Sequence, residues 1–157
     1  MDYSARVQEE MRTGLPYEGK TRRFLEKWYD VRDATWQEDT EGKIDLIATR
    51  EGQDFLVQVK KPSRTGNVFI EHTSVNGKPG WGQTCDILAK WIDSKTLLVV
   101  RLEKVRERWG DPSQFKTCYA REAKGQWYRR PNRLDICKEV TVDWLKQFAN
   151  AKTFEVL

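Results

Sequence analysis

Hydrophobic residues near the start of the chain recur at helical intervals. Residues Pro16 to Tyr29 place four aromatic or aliphatic side chains on one stripe, and Pro16 suits the first turn of a helix. The pattern predicts an α-helix over 16–29. The stripe consists of Tyr17, Phe24, Leu25 and Trp28.

The pattern then changes to short runs rich in β-branched and aromatic residues, separated by turn-forming pairs such as Glu41-Gly42 and Glu51-Gly52. Four such runs follow one another, and we expect them to form successive antiparallel strands. They are ATWQED (34–39), KIDLIAT (43–49), DFLVQVK (54–60) and NVFIEHT (67–73).

The second half of the chain begins with a glycine-rich loop over 77–84. Asp93-Ser94-Lys95 indicates a hairpin turn between two further strands, although periodicity alone also permits a helix over 83–92. Gly110-Asp111-Pro112 ends a short helix, and Thr141 suits the N-cap of a last helix. The elements predicted here are strands over 85–92, 96–102, 115–122 and 126–130 and helices over 103–109 and 142–150.

This order of helices and strands is typical of an α/β (α+β) domain with a mixed sheet. A chain of 157 residues with 38% hydrophobic content can bury one sizeable core but hardly two. We therefore predict a single domain over 1–157. Its core spans about 16–109, and C-terminal strands and a helix occupy about 113–157.

The charge and composition of the chain favour some classes of protein and exclude others. The net charge of +4 and the pI of about 9.0 mildly favour polyanionic partners. Three widely spaced cysteines and one histidine fit neither a disulfide framework nor a zinc site. Because the N-terminal residues lack an apolar run and no stretch could cross a membrane, we expect a cytosolic protein with no membrane partner.

Three polar residues in two neighbouring predicted strands carry the candidate chemistry. Asp45 lies among apolar residues in the middle of its strand, and Gln58 and Lys60 share one face of the next strand because side chains alternate. A hairpin would bring the three together. A carboxylate and an amide oxygen suit a hard cation such as Mg²⁺ or Mn²⁺, and a lysine can orient water and offset charge on a phosphate. The pattern therefore favours phosphodiester hydrolysis.

A second acid is expected from the first helix. Glu18 lies near the helix start while Leu25 and Trp28 face the sheet, and Glu26 is the alternative. Glu18 could equally be an acid that only stabilises the positive first turn of its helix.

At these positions the sequence resembles the PD-(D/E)XK nuclease superfamily, in the arrangement of Holliday-junction resolvases and several phage and homing endonucleases. The resemblance covers about Tyr17 to Glu71. It implies a restriction-endonuclease-like mixed central sheet flanked by helices, with Glu18, Asp45, Gln58 and Lys60 at the catalytic positions and magnesium or manganese as cofactor. The family's second motif normally has Glu or Asp where this chain has Gln58; a Gln-x-Lys version is similar to the site of an intron homing endonuclease.

The segment from Thr65 to Ile92 resembles phage-type members of the same superfamily through Thr65-Gly66-Asn67, Glu71 and Cys85-Asp86. This likeness favours a strand over a helix for 87–92. It also implies that Glu71 could lie beside the metal and restore part of the charge missing at Gln58.

Several residues are candidate DNA contacts. Trp81, on the glycine-rich loop, could stack on bases, whereas most of the tryptophans are expected in the core. Basic residues flank the site and could contact phosphates, although each cluster could also be a solvated face. They are Lys61, Arg64, Arg129, Arg130 and Arg133. His72 follows Glu71 in a strand and points away from it, which argues against a general base.

We therefore expect a magnesium-dependent endodeoxyribonuclease, either site-specific and homing-like or structure-specific like a Holliday-junction resolvase. The alternative is a non-catalytic nucleic-acid-binding module that retains the fold, and Gln58 is the residue that supports it. An enzyme of small nucleotides is disfavoured because no Walker-type loop is present. Symmetric cleavage of duplex DNA needs two sites, so a homodimer or higher oligomer is expected.

Overall fold

The computed structural model describes residues 15–156 of the chain. Within that range it contains six α-helices, ten strands and one 3-10 turn at Pro112–Gln114. The helices are α1 Leu15–Leu25, α2 Trp36–Gly42, α3 Trp81–Thr84, α4 Leu102–Arg106, α5 Ala120–Ala123 and α6 Val142–Ala149. The strands are β1 Asp30–Asp33, β2 Leu46–Arg50, β3 Gln53–Lys60, β4 Val68–Thr73, β5 Ile87–Trp91, β6 Thr96–Arg101, β7 Lys116–Thr117, β8 Tyr128–Arg129, β9 Ile136–Val140 and β10 Lys152–Glu155.

Six strands form the larger sheet, in the order β1-β2-β3-β5-β6-β10. The β3–β5 pair is parallel and the remaining pairs are antiparallel, which makes the sheet mixed. A parallel pair needs a crossover between its strands. Here the crossover, from Lys61 to Asp86, carries β4 out of this sheet.

The smaller sheet has the order β4-β9-β8-β7 and lies on one side of the larger one. β4 pairs antiparallel with β9, with an irregularity between Glu71 and Thr73. The two-stranded pairing of β7 with β8 is parallel.

Apolar side chains on the two faces of the larger sheet pack into two cores. On one face, Phe24 and Leu25 of α1 pack on alternate strand residues such as Leu46, Val57 and Ala89. The opposite face packs against α4, α6 and the smaller sheet. Its core includes Ile47, Leu88, Leu98, Val105 and Leu145 together with Val68 and Ile70 of β4.

The predicted α+β class with a mixed sheet is confirmed, as are the first helix and the hairpin of β5 and β6. The first helix ends at Leu25 and does not reach Tyr29. The helical alternative for 83–92 is wrong, because β5 occupies Ile87–Trp91. Thr141 accepts a hydrogen bond from the Trp144 N–H, which confirms it as the N-cap of α6.

In the first half of the chain, one predicted strand is wrong and another is a strand with a different partner. The segment ATWQED forms α2, because Thr35 caps its start: Thr35 accepts from the Glu38 N–H, and Glu38 accepts from the Thr35 N–H. NVFIEHT is a strand, but it pairs with β9 in the smaller sheet and not with DFLVQVK.

Several other elements depart from expectation, most of them after Asp111. The predicted strand over 115–122 is the two-residue β7 followed by α5, and the glycine-rich loop contains α3. β1, β9 and β10 were not predicted. They pair with β2, β4 and β6, so the C-terminal residues contribute to both sheets.

No helix in the part of the chain described is long and apolar enough to span a membrane.

Candidate metal centre

Asp45 lies immediately before β2, not in the middle of a strand as the sequence suggested. Its main chain is fixed on both sides: its N–H donates to the Val57 carbonyl at 2.9 Å, and its carbonyl accepts from the Ala34 N–H at 3.0 Å. Its side-chain Oδ2 accepts from the Val59 N–H at 2.7 Å. The carboxylate is therefore held against the end of β3.

Gln58 and Lys60 share one face of β3, as predicted, while Val57 points to the α1 side. The Gln58 side chain is 7% exposed, and its Oε1 has no hydrogen-bond partner in the structure. A buried amide oxygen without a partner is unfavourable unless a ligand or water satisfies it. This atom is thus available to a bound group.

Glu18 is brought to Asp45 by the anchoring of α1 on β5. The Trp91 Nε1 donates to the Thr21 Oγ1 at 2.9 Å, and the Thr21 hydroxyl donates to the Tyr17 carbonyl. Glu18 lies one helical turn before Thr21, and the Asp45 carboxylate is close enough to raise the pKa of Glu18. Glu26, the alternative acid, lies beyond the helix end and pairs with Arg22 at 3.2 Å.

Burial raises the pKa values of both Glu18 and Asp45. Burial, and then the Asp45 carboxylate, raise the pKa of Glu18 to about 8. Burial raises the pKa of Asp45 to about 6, although the Val59 N–H and the Lys60 ammonium act in the opposite direction. Two neighbouring carboxyl groups whose ionisation is disfavoured in this way form a site that a cation would stabilise.

Glu71 reaches the same pocket from the smaller sheet. Two glycines make room for it: a Cβ at Gly80 would lie 2.6 Å from the Glu71 Cγ, and a Cβ at Gly82 would lie 2.5 Å from the Glu71 carbonyl oxygen. Burial raises the pKa of Glu71, whereas Lys60 and the Trp81 N–H lower it. Its Oε1 is buried without a hydrogen-bond partner.

A small pocket of about 160 Å³ lies at Gln58, Lys60 and Glu71, and Glu18 and Asp45 lie outside its lining. Four of its lining residues were not predicted from the sequence: Asp39, Lys43, Ser74 and Val75. Asp39 and Lys43 were missed because they belong to α2 and its C-cap, whereas the sequence pattern predicts strands there. The sequence does contain a signal for the start of α2, since Thr35-x-x-Glu38 is a capping-box pattern. The pocket is lined by Asp39, Lys43, Gln58, Lys60, Glu71, Ser74, Val75 and Trp81.

Lys90 is a further functional candidate that was not predicted. It is the register partner of Lys60 in the parallel β3–β5 pair and is only 4% exposed. Its Nζ donates to the Lys61 carbonyl at 2.7 Å. Burial, and then Lys60, lower the pKa of Lys90 to about 8. Lys90 therefore supports the end of β3, where the site residues lie.

Of the candidate DNA contacts, Trp81 is buried, whereas Lys61 and Arg64 are exposed. Trp81 is 3% exposed and its ring lies 5.4 Å from the Lys60 Nζ, so it packs in the core and offers no free face to a base. Its expected position on an open loop is wrong, because α3 begins there. Lys61 and Arg64 are exposed at the end of β3.

The three C-terminal arginines already have partners within the protein. Arg129 stacks over the Phe115 ring at 4.6 Å. Arg130 bonds to the buried Asp135 at 2.8 Å, and Arg133 approaches the same carboxylate at 3.6 Å. His72 packs edge-on against Trp109 and Trp127, as a structural histidine would.

The oxygen atoms of this pocket fit a hard divalent cation. Gln58 and Glu71 line the pocket with an amide and a carboxylate oxygen, which Mg²⁺ and Mn²⁺ accept as ligands, and the Oε1 atoms of both are buried without partners among residues 15–156. Over residues 15–156, no group of three or more His, Cys, Asp or Glu side chains lies in a metal-binding arrangement. Glu18, Asp45 and Glu71 therefore do not form a three-carboxylate centre, and the candidate ligands are mixed carboxylate and amide oxygens.

Comparison of the chain with protein-family models, curated proteins and solved structures finds no match. The resemblance to PD-(D/E)XK nucleases therefore stays a prediction from the sequence motifs.

Proposed function

We propose that this protein is a DNA endonuclease that depends on magnesium or manganese and hydrolyses phosphodiester bonds. One observation carries the proposal: the buried, unpartnered Oε1 atoms of Gln58 and Glu71 belong to residues lining a pocket that Lys60 also lines, beside the Glu18–Asp45 pair. A phosphodiesterase site needs oxygen ligands and a cation that offsets phosphate charge.

Asp45 is the principal metal ligand in this proposal, because the Val59 N–H fixes its Oδ2 and leaves the other oxygen for the cation. Gln58 and either Glu18 or Glu71 complete the protein's share of ligands. A bound magnesium ion would supply Lewis-acid polarisation of the scissile phosphate and of a water molecule.

Lys60 orients the substrate in this proposal. Its ammonium group lies over the Trp81 ring, which limits its movement without neutralising its charge. From there it can donate a hydrogen bond to a non-bridging phosphate oxygen or to the attacking water.

A plasmid-nicking assay tests the proposal. Supercoiled DNA is incubated with wild type, Asp45→Asn and Lys60→Met in Mg²⁺ and in Mn²⁺. We expect wild type to nick the plasmid and each variant to lose at least about 100-fold of the rate. Manganese binding, followed by electron paramagnetic resonance, should weaken in Asp45→Asn but persist in Lys60→Met.

Two matched substitutions serve as controls. Asp54→Asn changes an exposed carboxylate at the opposite end of β3, and Lys95→Met changes an exposed lysine in the β5–β6 turn. Both should retain activity. Wild type that is inactive with both metals, or Asp45→Asn with full activity, would refute the nuclease proposal.

A non-catalytic DNA-binding module is the second candidate, and Gln58 is the observation that favours it. An amide supplies one less negative charge than the usual acid and so lowers the affinity for metal. Salt-dependent DNA binding without nicking in either metal would support this candidate. Within the nuclease proposal, we retain a homodimer or higher oligomer acting on duplex or branched DNA in the cytosol.

A further inference from the structure

Val75 is an exposed apolar residue at the edge of the metal pocket. It is 56% exposed and lines the pocket together with Lys60 and Glu71. The turn that carries it is closed by main-chain hydrogen bonds from the Ser74 N–H to the Lys78 carbonyl at 2.8 Å and from the Gly77 N–H to the Ser74 carbonyl at 2.9 Å. The turn therefore holds the Val75 side chain in solvent.

Leu134, on the loop between β8 and β9, is a second exposed apolar residue near this turn. It is 55% exposed, and its Cδ1 lies 3.6 Å from the point where a Cβ at Gly77 would be. Its loop is fixed by the Arg133 N–H bond to the Arg130 carbonyl and by the Arg130–Asp135 ion pair. Leu134 therefore lies beside the turn that carries Val75, and both side chains are exposed.

The charges around these side chains indicate the kind of partner. Lys78 is exposed on the first turn, and Arg130 and Arg133 border Leu134, with the buried Asp135 as the acid held between them. A second copy docked through this same patch would bring Lys78 and the two arginines against their own counterparts. A polyanion complements the patch.

We propose that Val75 and Leu134 form an apolar wedge that enters DNA at unstacked bases beside the metal pocket, so that the preferred substrate is a bulged or branched duplex. The inference rests on the proposed nuclease function and names its substrate class. Apolar side chains that insert between base steps must unstack them, and unpaired bases reduce that cost. The basic residues around the wedge would hold the phosphates on either side.

Binding without divalent metal tests the wedge separately from catalysis. The probes are a fully paired duplex and the same duplex with a small bulge, each with 2-aminopurine beside the bulge position, in EDTA. Wild type should bind the bulged duplex at least about tenfold more tightly, a difference of about 1.4 kcal/mol, and should raise its 2-aminopurine fluorescence. The double variant Val75→Ser/Leu134→Ser should lose both effects while binding the paired duplex as wild type does.

Two variants control for folding and for loss of exposed apolar surface in general. Val75→Leu/Leu134→Val keeps the patch apolar and should keep the preference for the bulge. Phe148→Ser removes an exposed aromatic ring on α6, away from the pocket, and should also keep it. Equal binding of both duplexes by wild type, or an unchanged preference in the serine double variant, would overturn the wedge.

Light scattering on the same variants examines self-association. If the serine double variant turned a wild-type dimer into a monomer, the patch would be a contact between copies of this chain and the wedge would be wrong.

The nuclease proposal and the wedge proposal can also fail separately. Bulge preference without metal-dependent cleavage removes only the nuclease, and cleavage without bulge preference removes only the wedge.

Discussion

Gln58 determines the charge of the candidate site. Three carboxyl groups, Glu18, Asp45 and Glu71, approach this pocket, and in each burial raises the pKa. A fourth acid in the metal-free protein would add repulsion, whereas the neutral amide adds an oxygen without charge. The amide therefore reduces electrostatic repulsion in the metal-free protein, and it also lowers the affinity of the pocket for a metal ion.

Gln58→Glu should tighten metal binding by about tenfold, because ligand charge is a main determinant of divalent-cation affinity. In EDTA the same variant should melt at a lower temperature than wild type, since the new carboxylate lies among like charges. Manganese titration followed by calorimetry measures the first effect, and thermal unfolding with and without Mg²⁺ measures the second.

Gln53→Glu is the matched control, because Gln53 is exposed at the opposite end of the same strand. Gln53→Glu should leave the manganese affinity and the melting temperature in EDTA unchanged. Weaker manganese binding in Gln58→Glu than in wild type would show that residue 58 is not a ligand.

Lys90 should make stability depend on pH in the alkaline range. Its folded-state pKa of about 8 lies below the ordinary value of 10.5, so between these pH values the unfolded chain holds a proton that the folded chain has lost. The contribution of Lys90 to the free energy of unfolding therefore rises with pH between about 8 and 10.5. Lys90→Met removes the dependence.

Urea unfolding at pH 7 and pH 10 measures that prediction. The stability of Lys90→Met relative to wild type should be greatest at pH 7 and should fall as the pH rises. Lys95→Met, an exposed lysine in the β5–β6 turn, should show no such trend. A constant difference between Lys90→Met and wild type at the two pH values would contradict the argument.

The residues of the site were predictable where they lie in strands with clear alternation. Gln58 and Lys60 share a face because side chains alternate in any strand. Lys90 was missed because its place beside Lys60 depends on the parallel pairing of β3 with β5, which local pattern does not specify. Asp39 was missed for a local reason, the wrong assignment of α2.

At the scale of elements, the close contact between α3 and β4 positions Glu71. The Gly82 Cα faces the Glu71 carbonyl so closely that any side chain at residue 82 would have to displace main chain. Gly82→Ala should therefore destabilise the fold by about 1–3 kcal/mol, move Glu71 and weaken metal binding. Urea unfolding and manganese titration measure the two effects.

Gly19→Ala is the control for that variant. Gly19 lies in α1, and a Cβ there would meet only the Arg23 guanidinium at an ordinary 3.5 Å. It should stabilise the protein by up to about 1 kcal/mol through helix propensity. If Gly82→Ala were as stable as wild type, the close approach would have no energetic role.

Elements with strong local signals were predictable and elements without them were not. α6 has a threonine N-cap and apolar residues at helical spacing, and it forms where expected. β1 has the sequence DVRD, whose charged residues give no strand signal. It forms because its main chain pairs with the edge of β2. β7 and β8 have two residues each, too few for any periodicity.

At the scale of the whole molecule, the C-terminal strand closes the larger sheet. β10 covers the edge of β6, and its Phe154 ring packs on Phe24 of α1 at 5.1 Å. A chain that ends at Ala151 should expose the β6 edge and form soluble aggregates, because an uncovered apolar edge strand pairs with other chains. Sedimentation velocity measures the aggregates.

The full-length variant Lys152→Ala keeps the strand and changes an exposed side chain, so it should stay free of aggregates. A shortened chain that sediments like the full-length protein would contradict this role for β10. The sheet order was beyond sequence reasoning, since β10 joins β6, a strand that is separated from it along the chain by seven elements when the 3-10 turn is counted.

Because β4 pairs with β9, the pocket joins distant parts of the chain. Asn67 beside β4 donates to Glu139 of β9, 72 positions later. During synthesis on the ribosome, Asp45, Gln58 and Lys60 emerge long before β9 is made, and Glu71 has no strand partner until then. A nascent chain, or one cut short by premature termination before β9, therefore carries three of these groups without the fourth held in place, and the complete set assembles only after residues 136–140 have been made.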